Sequence, residues 1–380
     1  MLRIFLTGDN HIGMEYGRYE DAGEKIARKR LTAFEGMVAK ANEERCDLFV
    51  VAGDLFDRTS GIGKRMIREL LGYLDGFSGK VVVLPGNHDY YDGDAKIWQD
   101  FEEELPGHPN ILLLTGPEPA ELELGDRTAV LYPAICPRKH SAPGENSLGW
   151  IKKKVIVPDE KYRIGLAHGA IEGETPDMDG IYYLMTKREL EEIPVDVWLI
   201  GHTHVPVPRD LTEEYREKGK IFNAGTHVQR DVHNNTEGLC FVIEIGNGKK
   251  VRAKKTVTGN IRFREIPVKV TAGQMREQLE RALRDLDDEN VVELVVSGAV
   301  TDEEYKESRR IEKELMNRFL SGWCTDSELS RQITGDVIDR EFPETSLAAG
   351  LLKSLLGQDE PKEAQLVYEM LKEIRGGKKK

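Results

Sequence analysis

Five short apolar runs, each closing on a cluster of Asp, His or Asn, constrain this 380-residue chain more than any other feature. "LRIFLTGDNHIG" leads to Asp9 and His11, "DLFVVAGDLFD" to Asp54 and Asp57, and "VVVLPGNHD" to Asn87, His88 and Asp89. "YRIGLAH" ends at His168, and "DVWLIGHTH" at His202 and His204. Runs of this length and content read as buried strands. Between them, "EKIARKRLTAFEGMVAKANEER", "GKRMIRELLGYLDGF" and "KIWQDFEEEL" repeat apolar residues at helical spacing. Strands alternating with helices predict a layered α/β domain over roughly residues 1–210. In such sheets ligands bind outside the carboxyl ends of the strands, so five polar ends can converge on one site.

The donor chemistry of that site suits a pair of divalent ions. Imidazole mixed with carboxylate favours Mn, Fe or Zn over Ca or Mg alone. Alternate side chains of an extended segment point the same way, so His202 and His204 can aim at neighbouring points. A carboxylate such as Asp54 can bridge two ions, and ions roughly 3.5–4 Å apart clamp a phosphoryl group and acidify a shared water. Each cluster alone reads equally well as a turn, and an isolated His168 as a structural residue. The specificity lies in the ordered set D-x-H, G-D-x-x-D, G-N-H-D, a lone His, then G-H-T-H.

Composition narrows the function classes. A net charge of −13 weighs against a nucleic-acid partner, although basic stretches remain at "RKR" (Arg28–Arg30) and "IKKKVIV" (Ile151–Val157). A carboxylate-rich centre loaded with cations also presents positive charge locally. The four cysteines, Cys46, Cys136, Cys240 and Cys324, form no C-x-x-C pair, so neither a zinc knuckle nor a disulfide framework is expected. No apolar run is long enough to span a bilayer, and "LRIFLTG" is too short for a signal-peptide core. A cytoplasmic protein without a membrane partner is the expectation.

Over residues 1–245 the ordered set resembles the calcineurin-like metallophosphoesterase superfamily. The resemblance implies a sandwich of two central sheets flanked by helices, and phosphodiester hydrolysis at two metal ions, Mn2+ foremost, with Fe, Zn or Mg as alternatives. It implies that Asp9, His11, Asp54 and His204 hold one ion, and that Asp54, Asn87, His168 and His202 hold the other. His88 would be no ligand but a catalytic proton donor or transition-state stabiliser, oriented by Asp57. Phe222–Asn235 resembles a substrate-side loop in which His227 and Arg230 would touch a phosphate, with a purely structural loop as the alternative. His140 and His233 are expected at the surface.

Within the superfamily, "LTGDNHIG", "ANEERCDLFVVAGDLFD", "VVVLPGNHD" and "GHTH" are most similar to SbcD-type double-strand-break repair nucleases, with Asn10 standing where many relatives carry Trp, Thr or Ser. That likeness implies a DNA exo/endonuclease laid out as a nuclease domain (1–267), a small α+β capping, DNA-binding domain (268–335) and C-terminal helices (342–376). The last would dock an SbcC-type SMC-like ATPase, and helices near 63–76 and 94–104 would form a homodimer. The alternatives are a small-substrate phosphodiesterase acting on cyclic or linked nucleotides, and a metal-binding scaffold without catalysis. Residues 219–270 read as antiparallel strands completing the first domain's sheets, and 268–335 as a helix–strand–helix unit.

Overall fold

The computed structural model of the chain describes residues 1–154, 156, 159–174, 180–232, 237–358 and 361–376, so His233 lies outside the described residues. The chain divides into two units, Met1–Phe263 and Arg264–Lys380.

In the first unit, strands β1 (Leu2–Thr7), β2 (Leu48–Ala52), β3 (Lys80–Leu84) and β4 (Ile111–Leu113) run parallel. They alternate with helices α1 (Gly23–Glu43), α2 (Lys64–Asp75) and α3 (Lys96–Glu104). The hairpin β5 (Ala120–Leu124)–β6 (Arg127–Ala134) follows, then α4 (Gly149–Lys153), β7 (Tyr162–His168), α5 (Lys187–Glu192) and β8 (Val197–Gly201). The short β9 (Arg216–Glu217) and β10 (Ile221–Phe222) precede a long antiparallel pair, β11 (Leu239–Ile245) and β12 (Val251–Val257). Two sheets result, ordered β4-β3-β2-β1-β11-β12-β9 and β10-β8-β7-β6-β5. The fold is therefore a mixed α/β arrangement of sheets flanked by helices.

The central strands β2, β3 and β8 are almost wholly apolar because both faces of the sheet are covered there. Leu6, Val50 and Leu84 of the first sheet pack with Leu166 and Leu199 of the second. The alternate residues Phe5, Phe49 and Val83 turn the other way, against Phe34, Leu70 and Phe101 of the helical layer. Trp198 and Ile200 cover the far side of the second sheet with Ile151 and Leu190. Residues 26, 30, 31, 34, 37, 38 and 41 of α1 are buried, a stripe of helical period.

The second unit begins within β13 (Arg262–Thr271) and continues through α6 (Met275–Leu283), β14 (Asn290–Val300), α7 (Asp302–Met316) and β15 (Ser321–Arg331). Its sheet has the order β13-β14-β15, with a core around Val270, Leu279, Leu294, Val296 and Ile311. Helices α8 (Gly335–Glu341), α9 (Leu347–Gly357) and α10 (Pro361–Gly376) enclose a smaller core of Ile338, Phe342, Leu352 and Tyr368.

Three elements depart from the sequence reading. Residues 262–271 do not complete the first unit's sheets but pair in the second unit's sheet. "SGWCTDSELSR" is an added strand, β15, which lies at a sheet edge where polar residues are tolerated and the apolar signal is therefore weak. β10 pairs parallel to β8 rather than antiparallel, over two residues. The five polar clusters follow β1, β2, β3, β7 and β8, all within the parallel parts of the two sheets, so their carboxyl ends can share one edge.

Candidate metal centre

The strand ends do converge. One ligand atom from each of Asp9, His11, Asp54 and His204 lies within 4.8 Å of the others. His11 Nε2 and His204 Nε2 face each other at 3.1 Å, and His204 Nε2 is 3.4 Å from Asp9 Oδ1. On the other side of Asp54, His168 Nε2 sits 3.3 Å from Asp54 Oδ2 and 3.0 Å from Asn87 Oδ1. His202 Nδ1 reaches the same Asn87 oxygen at 2.9 Å. All seven donor residues thus meet around Asp54, and Asp9, His11, Asp54, Asn87 and His168 are at most 1% exposed.

The backbone is strained to achieve this. Among the described residues, eight non-glycine residues have positive φ, and five of them are Asp9, His11, Asp54, His202 and His204. Such conformations cost of order 1–3 kcal/mol each and persist only where the surroundings over-determine them. Here the D-x-H and G-D loops lock together through Asp9 N–H to Gly53 O (3.0 Å), His11 N–H to Asp54 O (2.9 Å) and Ile12 N–H to Leu55 O (2.8 Å). Two glycines make room. Gly53, with φ 89°, leaves no space for a side chain, since a Cβ would lie 2.8 Å from His168 Cβ and closer to its ring. At Gly86 a Cβ would lie 2.8 Å from Asp54 Cγ and closer still to Oδ1.

Hydrogen bonds set which nitrogen each imidazole offers. His168 Nδ1 donates to Ala52 O at 2.9 Å, so Nε2 is the nitrogen turned toward Asp54 and Asn87. His11 Nδ1 faces Asp57 Oδ1 at 3.4 Å, which turns its Nε2 toward Asp54 Oδ2, 3.8 Å away. Asp57 therefore plays a different part from the one expected. Its carboxylate lies against His11 and within 4.8 Å of the His88 ring, while its backbone carbonyl is 3.2 Å from His88 Nδ1. The second cluster of potential ligands, His11, Asp57 and His88, reflects this arrangement. His88 is half-buried at the mouth, its N–H donating to Asp54 Oδ1 at 2.8 Å.

Asp89 was missed as a functional residue, although it completes the G-N-H-D motif. It is fully buried and accepts the N–H groups of Phe56 (2.9 Å) and Gly86 (2.6 Å), tying the second and third loops together. Burial and the Asp54 charge push its carboxyl up to about 8.

The loop carrying His227 and Arg230 divides between two roles. Contrary to the expectation of a phosphate contact, His227 is fully buried with both ring nitrogens engaged. Nδ1 lies 3.0 Å from Asn10 Nδ2, and Nε2 donates to Arg30 O at 3.0 Å. Burial and then Arg30 push its imidazole down to about 3, so it stays neutral. Arg30, read from sequence as part of a basic stretch, is 1% exposed and donates to the Asn10 carbonyl at 2.6 Å and to the Tyr16 hydroxyl at 2.8 Å. His227 and Arg30 thus brace Asn10, the residue between Asp9 and His11. Arg230 instead stands at the centre, its Nη1 on His204 Nδ1. A guanidinium only donates, so this contact places the neutral His204 proton on Nε2. Were Nε2 to hold an ion, Nδ1 would carry the proton and could no longer accept from Arg230. His140 is exposed against Tyr182. Among the described residues the cysteines are free, and Cys136 donates to the His168 carbonyl at 3.3 Å.

Residues 2–206 match the calcineurin-like phosphoesterase family, more than half of the chain. The chain belongs to that family. Solved structures that resemble it include TT1561 of Thermus thermophilus, 11% identical with a TM-score of 0.39, covering 68% of this chain and 99% of that one. A dimetal phosphatase from Danio rerio is 11% identical with a TM-score of 0.37, covering 65% of this chain and 93% of its own. Purple acid phosphatase PPD1 from yellow lupin (Lupinus luteus) seeds is 12% identical with a TM-score of 0.41, covering 68% of this chain and 51% of its own. None of the curated proteins matches the chain.

Membership implies metal, and the residues fit it. Asp54 Oδ2 is buried without a hydrogen-bond partner, between two imidazoles. Two Nε2 atoms 3.1 Å apart cannot both offer lone pairs to each other, but they can both offer them to a cation. Burying a carboxylate costs several kcal/mol per ion unless it is compensated. The chain is a metal-dependent phosphoesterase with a binuclear site of Asp and His residues.

In the metal-free protein, burial pushes the His168 imidazole down, but the charge of Asp54 beside it prevails and raises it to about 9. Burial likewise pushes the Asp54 carboxyl up, and the His168 charge reverses this, leaving it well below the usual range. At neutral pH a metal must displace the His168 proton. Apparent metal affinity is expected to rise about tenfold per pH unit from 7 and to flatten above about 9, as measured by calorimetry in paired buffers. The pair's contribution to metal-free stability has two parts. The share carried by His168 is complete below about pH 6.5 and is lost as pH rises through 9, whereas the share carried by the Asp54 carboxylate is lost at acid pH. Gly86→Ala, which drives a Cβ into Asp54, is expected to weaken metal binding about 10–100-fold while the far-ultraviolet circular dichroism is retained.

Proposed function

We propose that this phosphoesterase is a phosphodiesterase acting on DNA, an exo/endonuclease of the SbcD type in double-strand-break repair. The observation that carries the phosphodiester reading is His88. It alone of the four G-N-H-D residues is half-exposed, it is anchored to Asp54 through its N–H, and its Nδ1 faces a carbonyl, so its Nε2 is left for substrate. Bound ions would supply Lewis acidity and an acidified water. Asp9, His11, Asp54 and His204 would hold one ion, and Asp54, Asn87, His168 and His202 the other. Arg230, displaced from His204, would pair with a non-bridging phosphate oxygen. His88 in its charged form would donate through Nε2 to the departing sugar oxygen.

The DNA reading draws support from the α+β unit and terminal helices that follow the phosphoesterase unit, in the order of SbcD-type chains. Helices α9 and α10 expose Leu347, Leu351, Leu366, Met370 and Ile374, a suitable surface for the coiled coil of an SbcC-type ATPase. Dimerisation through α2 and α3, manganese as the native metal and a cytoplasmic location belong to the same proposal. Among the described residues no helix is long and apolar enough to cross a membrane. The net charge of −13 favours the second reading, a phosphodiesterase for cyclic or linked nucleotides.

Two measurements decide. His88→Asn is expected to keep its metal by calorimetry and to lose about 10²–10⁴ in turnover of bis-p-nitrophenyl phosphate. Loss of metal in that variant would overturn the role given to His88. The wild-type enzyme is expected to degrade end-labelled duplex or single-stranded DNA in Mn2+. Turnover of cyclic nucleotides with DNA left intact would establish the small-substrate reading instead.

A further inference from the structure

Outside the metal centre, the second unit contains a cleft of about 490 Å³ between α7 and the edge strand β15. A cleft of this size falls in the range of small-molecule sites, roughly 300–1,000 Å³. Its lining is chemically mixed. Trp323 and Met316 supply apolar surface, Arg309 and Lys313 positive charge, and Glu312 and Asp326 carboxylates.

Glu312 is the telling residue. It is only 5% exposed, yet its Oε1 is buried with no hydrogen-bond partner. A buried acceptor left unpaired costs about as much as a lost hydrogen bond, so it is retained at a cost to the fold unless something outside the fold satisfies it. Burial and then the neighbouring Asp326 push its carboxyl upward, against the opposing charge of Arg309. The other lining groups describe the rest of the ligand. An indole face takes a flat ring, and a guanidinium and an ammonium take a phosphate.

We propose that this cleft is a nucleotide subsite that seats one base of a single strand on Trp323, reads its exocyclic amino group with Glu312, and holds the adjoining phosphate with Arg309 and Lys313. This deepens the DNA reading above and rests on it. A carboxylate accepts from the amino group at C4 of cytosine, the position where thymine carries a carbonyl oxygen. The subsite therefore prefers cytosine to thymine, and the preference belongs to Glu312 rather than to the metal centre.

The test uses the full chain stripped of metal with EDTA, so that no substrate is cleaved, and titrates labelled oligo-dC and oligo-dT hexamers by fluorescence anisotropy at pH 8. About tenfold tighter binding of oligo-dC is expected. In Glu312→Gln, which keeps the side chain's shape, the two affinities should fall within about twofold of each other. Trp323→Ala should weaken both hexamers, and the double change Arg309→Ser, Lys313→Ser should weaken both equally and flatten the salt dependence. Equal wild-type affinities, or discrimination that survives Glu312→Gln, would overturn the subsite. So would competition by an arginine-rich peptide but not by dCMP, which would make the cleft a protein-docking site. DNA cleavage by the manganese-loaded wild type is measured alongside. Cleavage without base discrimination sinks the subsite alone, whereas discrimination without cleavage sinks the nuclease reading.

Discussion

The structure depends on one buried carboxylate. Asp54 is 1% exposed, accepts a single backbone N–H on Oδ1, and offers Oδ2 to nothing but two imidazoles. In a low-dielectric interior such a group is destabilising until positive charge reaches it. A protonated His168 supplies part of that charge in the metal-free protein, and two divalent ions would supply all of it. Metal affinity, proton release and active-site stability are thus linked through the same atom.

The sheets exist, in functional terms, to hold Asp54 against six other donors. The parallel strands end together, so backbone bonds can cross from the D-x-H loop to the G-D loop and keep both in left-handed conformations. Asp89 extends this lacing to the third loop, and the Arg30–Asn10–His227 brace supports the first from behind. Such a scaffold confines the donors before any ion arrives, which lowers the reorganisation needed on binding.

The seven donors were legible because ligand chemistry is local. A polar cluster at the end of an apolar strand conflicts with core packing and needs another explanation. What each donor does with its second polar atom was not legible. The family resemblance assigns Asp57 to orienting His88, yet its carboxylate turns to His11, and the choice depends on a rotamer rather than on the residue's identity. His227 and Arg230 stand three residues apart in one loop, but one is a buried brace and the other reaches His204. Arg30 sat within an ordinary basic run, and only the burial of its side chain separates it from Arg28, which is exposed.

The same division applies to the elements. Apolar periodicity specified the strands β1, β2, β3, β7 and β8 and the helices between them, because burial on both faces leaves a strong trace in residue type. Edge strands leave a weak one, so β15 and the partner of β13 emerged only when pairing was known. By itself the sequence determined which residues can bind metal and at which strand ends they stand, since both follow from side-chain chemistry and hydrophobic patterning. The tertiary structure alone decided which lone pairs face one another, because that depends on the angle between two sheets and on hydrogen bonds between residues more than a hundred positions apart.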